Sequence, residues 1–501
     1  MTDKHDAALA QGFTLTVPNS MGVLPVMIEF VRSSARIIGL GEEDLPKLEL
    51  AVEEAAVNVI EHAYGPDELA NFEIWVRRDP LGVLVGIRDE GLPYDPSLAP
   101  KYEPGKPEET KCSGMGSMLM KCMVDEYQFL VLGARGKETR LLKYIECESV
   151  VDHAEVPEVD HGPAARVPES ERVELDYDWM RPDQALEVAR CIYDAYGYSY
   201  IHEHIYHPDR LAAMNVAGEI RSAVALGKDK VMAGHAALVF SELDTRIADL
   251  AMLVVKKDFR GQSVAGDLTD YLMHQAEILG LAGLYAEQVT VHPYTQKFLS
   301  KMGFKDCGMW MAYTPTSVSY KGIAEELHHR ITAILCYKYL TPPKPVTIYP
   351  PIRHVDHVLS LYENIGGLPV VGESPDGIEE EHSEINFSVN AKRALATVRV
   401  GRIGRDIAKQ MREKLYRLRL DGVHIANLYL NLTDPATYHA TSLLEQLGFR
   451  FTGIMPGTEG GDSLLLQLLD GVVVDYENMQ LVSDTAKELV SYARKHDPFA
   501  R

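Results

Sequence analysis

The stretch from Leu48 to Gly65 reads Leu-Glu-Leu-Ala-Val-Glu-Glu-Ala-Ala-Val-Asn-Val-Ile-Glu-His-Ala-Tyr-Gly. Its apolar residues recur at helical spacing and predict a buried stripe along one face, formed by Val52, Ala55, Val59 and Ala63. Every fourth residue on a second face is polar, namely Glu54, Asn58 and His62. A plain amphipathic helix with a solvated face has the same pattern, so this stretch alone leaves both interpretations open.

Two glycine-containing turns follow this helix. Asp89-Glu90-Gly91 ends a stretch that alternates like a strand, and Gly114-Met115-Gly116 opens another helical run. Glycines let a backbone approach a phosphate closely, and a helix that follows directs its N–H groups at the anion. A carboxylate, an amide and two glycine turns therefore follow one another in a fixed order.

This order of residues resembles the histidine-kinase-like ATP-binding fold, and within it the anti-sigma-factor serine kinases of bacteria, over roughly residues 10 to 147. The resemblance implies that Glu54 acts as the catalytic base, that Asn58 holds Mg²⁺ on the phosphates, and that Asp89 binds the adenine amino group. An amide oxygen suits Mg²⁺, which prefers oxygen ligands. The other residues that the resemblance places in the ATP site are His62, Gly91, Gly114, Gly116 and Thr139.

Residues 97–113 are rich in Pro, Glu and Lys, and this composition predicts a lid over the site. Lys101, Lys106 and Lys111 are candidates to reach phosphates from the lid. The alternative is a solvated loop with scattered charge.

Residues 247–304 predict a second module of alternating strands and helices. A buried strand, Ala251 to Val255, leads through an Arg-Gly-containing turn into a helix, and a further strand and short helix end at Gly303-Phe304. This order resembles the GNAT superfamily of acyl-CoA-dependent N-acyltransferases. The resemblance implies that backbone amides at the start of the helix bind the CoA pyrophosphate. The implied CoA-binding residues are Val254, Val255, Arg260, Gly261, Gln262, Ser263, Val264, Ala265 and Gly266.

The second module departs from that family at two positions. Ser263 stands where glycine is usual, which restricts backbone approach, and Leu299 stands where a tyrosine general acid is expected. A leucine cannot donate a proton, so water or Tyr294 would have to protonate the departing thiolate. Asp249 and Glu287 are candidates for the base, the alternative being structural roles. An acyltransferase fold without catalysis is therefore the competing interpretation.

Residues 394–449 repeat the order of elements of the second module, which indicates a tandem duplication. The turn of this copy, Gly401-Arg-Ile-Gly-Arg-Asp406, lacks the glycine-bearing run, and Leu444 again takes the tyrosine position. We therefore expect a degenerate copy with a structural or ligand-shaping role. Five prolines in residues 341–351 predict the connector between the copies.

The predicted fold class is a multidomain α+β or α/β protein, with an N-terminal α/β sandwich of histidine-kinase-like ATPase type followed by two GNAT-like mixed-sheet domains. The predicted bounds are 1–147 for the ATP-binding domain, 148–172 for a linker, 173–325 for the acyltransferase domain and 326–501 for the degenerate copy.

Composition limits the partners and the compartment. The formal net charge of −23 argues against a nucleic acid bound through its phosphates. Six scattered cysteines without metal-ligand spacing predict reduced thiols in a cytosol. No apolar run approaches the roughly 18 residues of a membrane span. We therefore expect a cytoplasmic protein that binds neither nucleic acid nor a membrane.

Two functions of different class follow. The first is an enzyme, in which an anti-sigma-type serine kinase is joined to an N-acyltransferase. The second is a sensor, in which ATP and an acyl-CoA alter the binding of a protein partner. The expected cofactors are ATP, Mg²⁺ and acetyl-CoA or another acyl-CoA. The expected partners are a protein of the sigma-factor or anti-sigma-antagonist type and a small-molecule or protein amine acceptor, with a homodimer left open.

Overall fold

The computed structural model describes residues 12–65, 68–79, 81–91, 120, 122–131, 136–145, 167–168, 170, 172–196, 203–241, 246–315, 329–390, 393–497 and 500. The predicted lid, the turn Gly114–Gly116 and the predicted boundaries after residues 147 and 325 lie outside these ranges. The predicted domain bounds therefore stay predictions.

Strands and helices alternate along the described chain. The strands are β1 (Phe13–Pro18), β2 (Asn71–Asp79), β3 (Gly82–Asp89), β4 (Glu126–Val131), β5 (Lys137–Tyr144), β6 (Asp176–Trp179), β7 (Ile220–Leu226), β8 (Met232–Val239), β9 (Ile247–Val255), β10 (Gly283–Val289), β11 (Lys305–Thr314), β12 (Ile331–Tyr339), β13 (Val346–Ile348), β14 (Pro369–Val371), β15 (Glu384–Asn390), β16 (Leu395–Arg402), β17 (Ile425–Asn431), β18 (Arg450–Thr458) and β19 (Gly461–Leu469). The α-helices are α1 (Leu24–Ile38), α2 (Leu45–His62), α3 (Ala185–Tyr196), α4 (Pro208–Ala217), α5 (Val264–Ile278), α6 (Tyr294–Lys301), α7 (Val355–Ile365), α8 (Ile407–Leu420), α9 (Thr437–Glu445) and α10 (Asp484–Lys495).

One compact unit comprises residues 1–146 and 377–428. Its strands follow the order β1–β2–β3–β5–β4–β15–β16, and each is antiparallel to its neighbours. Helices α1 and α2 share one apolar core with the first strands, which includes Met27, Leu48, Ile74 and Leu141. The predicted α/β sandwich is therefore present, and its sheet continues through β15 and β16, which the sequence did not predict.

Local sequence explains the two helices of this unit. Both begin with a proline in the first turn, where the missing N–H has no helical partner. Helix α1 ends at Gly39, whose left-handed conformation (φ 111°) suits glycine. The predicted apolar stripe of α2 is confirmed, because Val52, Ala55 and Val59 are buried.

A second compact unit comprises residues 147–376 and 429–501. Its strands follow the order β6–β7–β8–β9–β10–β12–β11–β18–β19. The pairing of β9 with β10 is parallel, and the other pairings in this series are antiparallel. Helix α5 packs on this sheet through Val264, Leu268, Leu272 and Ala276. The mixed α/β class predicted from the sequence is confirmed.

The predicted repeat is visible in the order of elements. The series β9, α5, β10, α6, β11 and β12 recurs as β16, α8, β17, α9, β18 and β19. Leu299 and Leu444, which take the predicted tyrosine position, are both buried. Neither copy therefore has a proton donor at that position.

Within the described ranges, no helix combines the length and the apolar character needed to cross a membrane. The cysteines described, Cys122, Cys191, Cys307 and Cys336, are free thiols.

Candidate functional site

The polar face of α2 is partly enclosed. Glu54 and Asn58 are half-buried, whereas His62, at the end of the helix, is exposed. Burial raises the pKa of Glu54, and the negative charges of Glu53 and Glu61 raise it further. A carboxylate with a raised pKa accepts a proton more readily near neutral pH, which suits a general base.

The end of β3 meets the end of α2. A Cβ atom on Gly91 would lie 2.2 Å from the carbonyl oxygen of Ala63, which directly follows α2. Glycine is therefore required at residue 91 for this close approach. Asp89 is 3% exposed, and its Oδ1 accepts a hydrogen bond from the Gly91 N–H at 3.0 Å. The structure thus brings together the first two predicted motifs of the ATP site.

Sequence reasoning missed Lys137, which pairs with Asp89. Its Nζ lies 2.5 Å from Asp89 Oδ1 and 2.9 Å from the carbonyl oxygen of Gly91. Burial raises the pKa of Asp89, although the charge of Lys137 opposes this shift. Burial also lowers the pKa of Lys137. An adenine amino group bound here would share the carboxylate with this lysine. The contact follows from the register of β5 on β3, which sets Lys137 opposite Asp89 and Thr139 opposite Ile87.

The predicted CoA turn lies between β9 and α5. Ser263 precedes α5 with φ 68°, a left-handed conformation, and its side chain makes no capping hydrogen bond. Left-handed backbone costs a non-glycine residue about 1–2 kcal/mol, so Ser263 keeps the conformation that glycine would adopt freely. The first-turn N–H groups of a helix lack partners within it. Those of Val264, Ala265 and Gly266 can therefore serve an anion.

Other side chains of this turn have contacts within the protein. Gln262 accepts a hydrogen bond from the Val173 N–H at 3.0 Å and donates one to the Asp258 carbonyl at 3.1 Å. Arg260 Nε donates to the Val255 carbonyl at 3.3 Å. These contacts fix the path of the turn. The CoA roles predicted for Val254, Val255, Arg260, Gly261 and Gln262 stay predictions.

A carboxylate pair lies where β9 and β10 separate. The pairing of the two strands ends at Asp249 and Tyr285, although both strands continue. Burial raises the pKa of Asp249 well above its usual value, and the charge of Glu287 raises it further. Asp249 Oδ1 is buried and has no hydrogen-bond partner within the described residues. The pair can therefore hold one proton between two carboxylates, as an acid–base site requires.

A pocket of about 250 Å³ lies between α7, α9 and α10, and the sequence did not suggest it. His354 is buried at the wall of this pocket. Its Nε2 lies 2.8 Å from Glu445 Oε1, and its Nδ1 lies 2.7 Å from the Tyr492 hydroxyl oxygen. Burial opposes ionisation of Glu445, but the hydrogen bond and charge of His354, together with the charges of Arg353 and His496, outweigh it and lower the pKa. A carboxylate, an imidazole and a phenol are thus linked in series.

The turn before α8 differs from the turn before α5. The carboxylate of Asp406, the residue before α8, accepts hydrogen bonds from the Ser383 N–H at 2.8 Å and from Gln410 Nε2 at 2.8 Å. A Cβ atom on Gly404 would lie 2.4 Å from the backbone of His382. The start of α8 is therefore occupied by the protein's own groups.

Residues 17–143 match the family model described as the histidine kinase-like ATPase domain. The N-terminal module is a histidine kinase-like ATPase domain. The ATPase domain is also similar to the serine-protein kinase RsbW of Bacillus subtilis (strain 168), at 27% identity over 143 residues, which is 27% of this chain and 84% of that protein. Serine-protein kinase RsbW of Bacillus cereus (strain AH187) is 29% identical over 119 residues, or 22% of this chain and 71% of the relative.

Solved acetyltransferases are similar in structure to about a third of this chain. A putative acetyltransferase of the GNAT family from Desulfovibrio desulfuricans is 18% identical, with a TM-score of 0.28, and the match covers 34% of this chain and all of that one. Spermidine N-acetyltransferase from Vibrio cholerae is 13% identical, with a TM-score of 0.28, over 33% of this chain and 95% of that chain. Scores this low say nothing of activity, so acyl transfer rests on residues of this chain alone.

Proposed function

We propose that the ATPase domain is an ATP-dependent serine kinase of the anti-sigma type, with a partner protein as its substrate. The observation that carries this proposal is the close approach of Gly91 to Ala63, which joins the turn of buried Asp89 to the end of the helix that bears half-buried Glu54 and Asn58. The serine-protein kinase relatives of this domain support it.

The residues present fit a magnesium ion held mainly by nucleotide phosphates. Within the described residues, no three His, Cys, Asp or Glu side chains are grouped to hold a metal. Mg²⁺ bound to nucleotides commonly takes one or two protein oxygens, and the Asn58 amide can supply one. Bound there, Mg²⁺ would neutralise phosphate charge.

Glu54 is the proposed base of phosphoryl transfer. As the serine oxygen bonds to the γ-phosphorus, the bond from that phosphorus to the bridging oxygen breaks, ADP leaves, and Glu54 accepts the serine proton. The raised pKa of Glu54 favours this acceptance. The proposed partner is a protein of the sigma-factor or anti-sigma-antagonist type, and the proposed compartment is the cytoplasm.

Acyl transfer is the second part of the proposal. The uncapped first turn of α5 would receive the CoA pyrophosphate, and the Asp249–Glu287 pair would take a proton from the amine acceptor. The acceptor nitrogen bonds to the acyl carbon, the thioester C–S bond breaks, and water or Tyr294 protonates the thiolate. Tyr294 is exposed, so a bound substrate can reach it.

A sensor that binds both ligands without turnover is the alternative. The buried leucines Leu299 and Leu444 favour it, because neither can protonate a thiolate. ATP and an acyl-CoA would then change the affinity of the chain for its partner.

Calorimetry of the full chain with Mg-ATP tests the nucleotide site. The Asn58→Ala variant should lose Mg²⁺-dependent affinity, and Asp89→Ala should bind ATP about 5- to 100-fold more weakly, since an unpaired buried partner costs about 1–3 kcal/mol. Equal affinities of parent and both variants would show that ATP binds elsewhere, and no binding by the parent would refute the site.

The Glu54→Gln variant tests the kinase reaction. It should bind Mg-ATP as the parent does and transfer phosphate to a partner serine about 10²- to 10⁴-fold more slowly, because the amide cannot accept the proton. Glu53→Gln, one residue away and exposed, is the matched control. Equal rates of transfer would remove Glu54 from the mechanism, and no transfer by the parent to candidate partners would favour the sensor.

A further inference from the structure

One row of side chains crosses four strands of the ATPase sheet. The strand registers set Ile87 opposite Thr139, Thr139 opposite Phe129, and Phe129 opposite Phe387. Residues directly opposite on neighbouring strands point to the same face. Ile87 belongs to the core that α2 covers, so the whole row lies on the face of the sheet that packs against α2. Phe387 is part of β15, so a distant segment of the chain extends this face.

Helix α8 lies on this extended face and presents Lys414 to it. The Lys414 ammonium lies 3.6 Å from the centroid of the Phe129 ring and 5.7 Å from that of Phe387. Among the residues that the structure describes, none accepts a hydrogen bond from it. Aromatic faces attract a cation but offer no hydrogen-bond acceptor of ordinary strength. Lys414 is therefore a half-buried cation whose hydrogen bonds are not accepted by an anionic group in the described part of the chain.

Two further cations lie near Lys414. The Arg417 guanidinium is 6.0 Å from the Phe129 ring, and Lys137 is the residue that pairs with Asp89. Burial lowers the pKa of Lys414 well below its usual value. The positive charges of Arg417 and Lys137 lower it further, and the negative charge of Glu413 opposes this shift. A buried cation without a counter-charge is unfavourable. An added anion would supply a counter-charge to Lys414.

We propose that Lys414 and Arg417 bind an anionic phosphate group of the nucleotide, so that α8 forms one wall of the ATP site. This inference rests on the proposed binding of ATP to the ATPase domain. Lys414 lies over Phe129, which is opposite Thr139, and its charge and that of Lys137 oppose each other. Lysine and arginine are the usual donors to phosphate oxygens.

Helix α8, which belongs to the predicted degenerate copy, would then help to bind the nucleotide. Its own helix start is filled by Asp406, yet the middle of the same helix supplies cations to the ATPase face. Nucleotide affinity would then depend on residues more than 250 positions after the predicted ATP motifs. This dependence ties ATP binding to the folding of the later segment.

The test measures the affinity of the full chain for Mg-ATP and for adenosine by calorimetry. Lys414→Gln and Arg417→Gln should each weaken ATP binding about tenfold to a hundredfold, because each removes a charge-assisted hydrogen bond. Adenosine affinity should change less than about twofold, since adenosine has no phosphate. Lys414→Arg should keep most of the ATP affinity.

Matched controls lie on the same helix. Lys409→Gln and Arg412→Gln remove one exposed positive charge each and should leave ATP binding unchanged. If Lys414→Gln behaves like Lys409→Gln while Asp89→Ala still loses affinity, the inference is wrong and the proposed ATP site stands. If the parent binds no ATP, both are wrong. An equal loss for ATP and adenosine, or a lowered unfolding temperature that accounts for the loss, would show a structural role and overturn the phosphate contact.

Discussion

Helices α5 and α8 take the same place in the repeated series of elements, yet they begin in different ways. Ser263 adopts a left-handed conformation before α5 and leaves the first-turn amides without a side-chain cap. Asp406 precedes α8, and its carboxylate is held there by Ser383 and Gln410. A single carboxylate at a helix start competes with any anionic ligand for the positive end of the helix dipole. The same order of elements can therefore have an open helix start in one place and an occupied one in another.

The largest expected effect is at Gly266, in the first turn of α5. A Cβ atom there meets no atom of the described residues within 4 Å, so the Gly266→Leu side chain would fill the space that a pyrophosphate needs. We expect CoA affinity to fall by about a hundredfold or more, since the backbone amides can no longer be approached. Calorimetry with CoA measures this loss.

Gly377→Leu is the matched control for this change, because a Cβ atom at Gly377 also meets no atom within 4 Å. Gly404 cannot serve, since a side chain there would collide with the backbone of His382. Unaltered CoA binding by Gly266→Leu would remove the start of α5 from the proposed site.

A smaller effect is expected at the start of α8. Asp406→Ala leaves the Ser383 N–H without its acceptor and should lower the free energy of unfolding by about 1–3 kcal/mol. It should not create CoA binding, because Gly404 remains packed. Urea unfolding and CoA calorimetry of the variant give the two readouts, and a gain of CoA affinity would contradict the comparison.

The pH dependence of this effect has a definite sign. Burial opposes ionisation of Asp406, but hydrogen bonds from Gln410, His382 and Ser383 outweigh it and lower the pKa. A carboxyl group with a lowered pKa in the folded state stabilises the protein above the pKa of the unfolded state. That stability is lost as the pH falls through the folded pKa. The difference between parent and Asp406→Ala should therefore shrink in acid, and a constant difference would point to lost packing instead.

The smallest effect is expected for Ser263→Gly. Glycine adopts the left-handed conformation without strain, but it also loses more entropy on folding. The net result should be a gain of about 0.5–1 kcal/mol in the free energy of unfolding, with CoA affinity unchanged or slightly higher. Denaturant unfolding measures the gain. A loss of stability would mean that the serine side chain has a contact worth more than the strain.

The sequence was sufficient where local patterns decide the structure. The stripe of α2, the strands around it and the turn before α5 follow from periodicity, proline and glycine, and each lies where it was predicted. Asp89 and Gly91 lie in one turn, as their local spacing predicts, and their role in ATP binding stays a prediction. Leu299 and Leu444 are also buried, as is usual for apolar side chains.

Long-range pairing decides what the sequence could not predict. Lys137 meets Asp89 only through the register of β5 on β3. The pocket at His354 needs residues from three separate helices or their ends, and no motif links Glu445 with Tyr492. The pairing of β4 with β15 joins segments more than 250 residues apart. Such contacts depend on the whole fold and leave no periodic trace.

The pairing of β4 with β15 also determines which strand of the ATPase sheet is an edge. Without β15, β4 would expose a row of unpaired N–H and C=O groups along its length, and such a strand tends to recruit another strand from a neighbouring molecule. A chain that ends at residue 147 should therefore self-associate as its concentration rises, which light scattering would detect. In the full chain the same groups are satisfied internally, so β15 protects the ATPase sheet against aggregation.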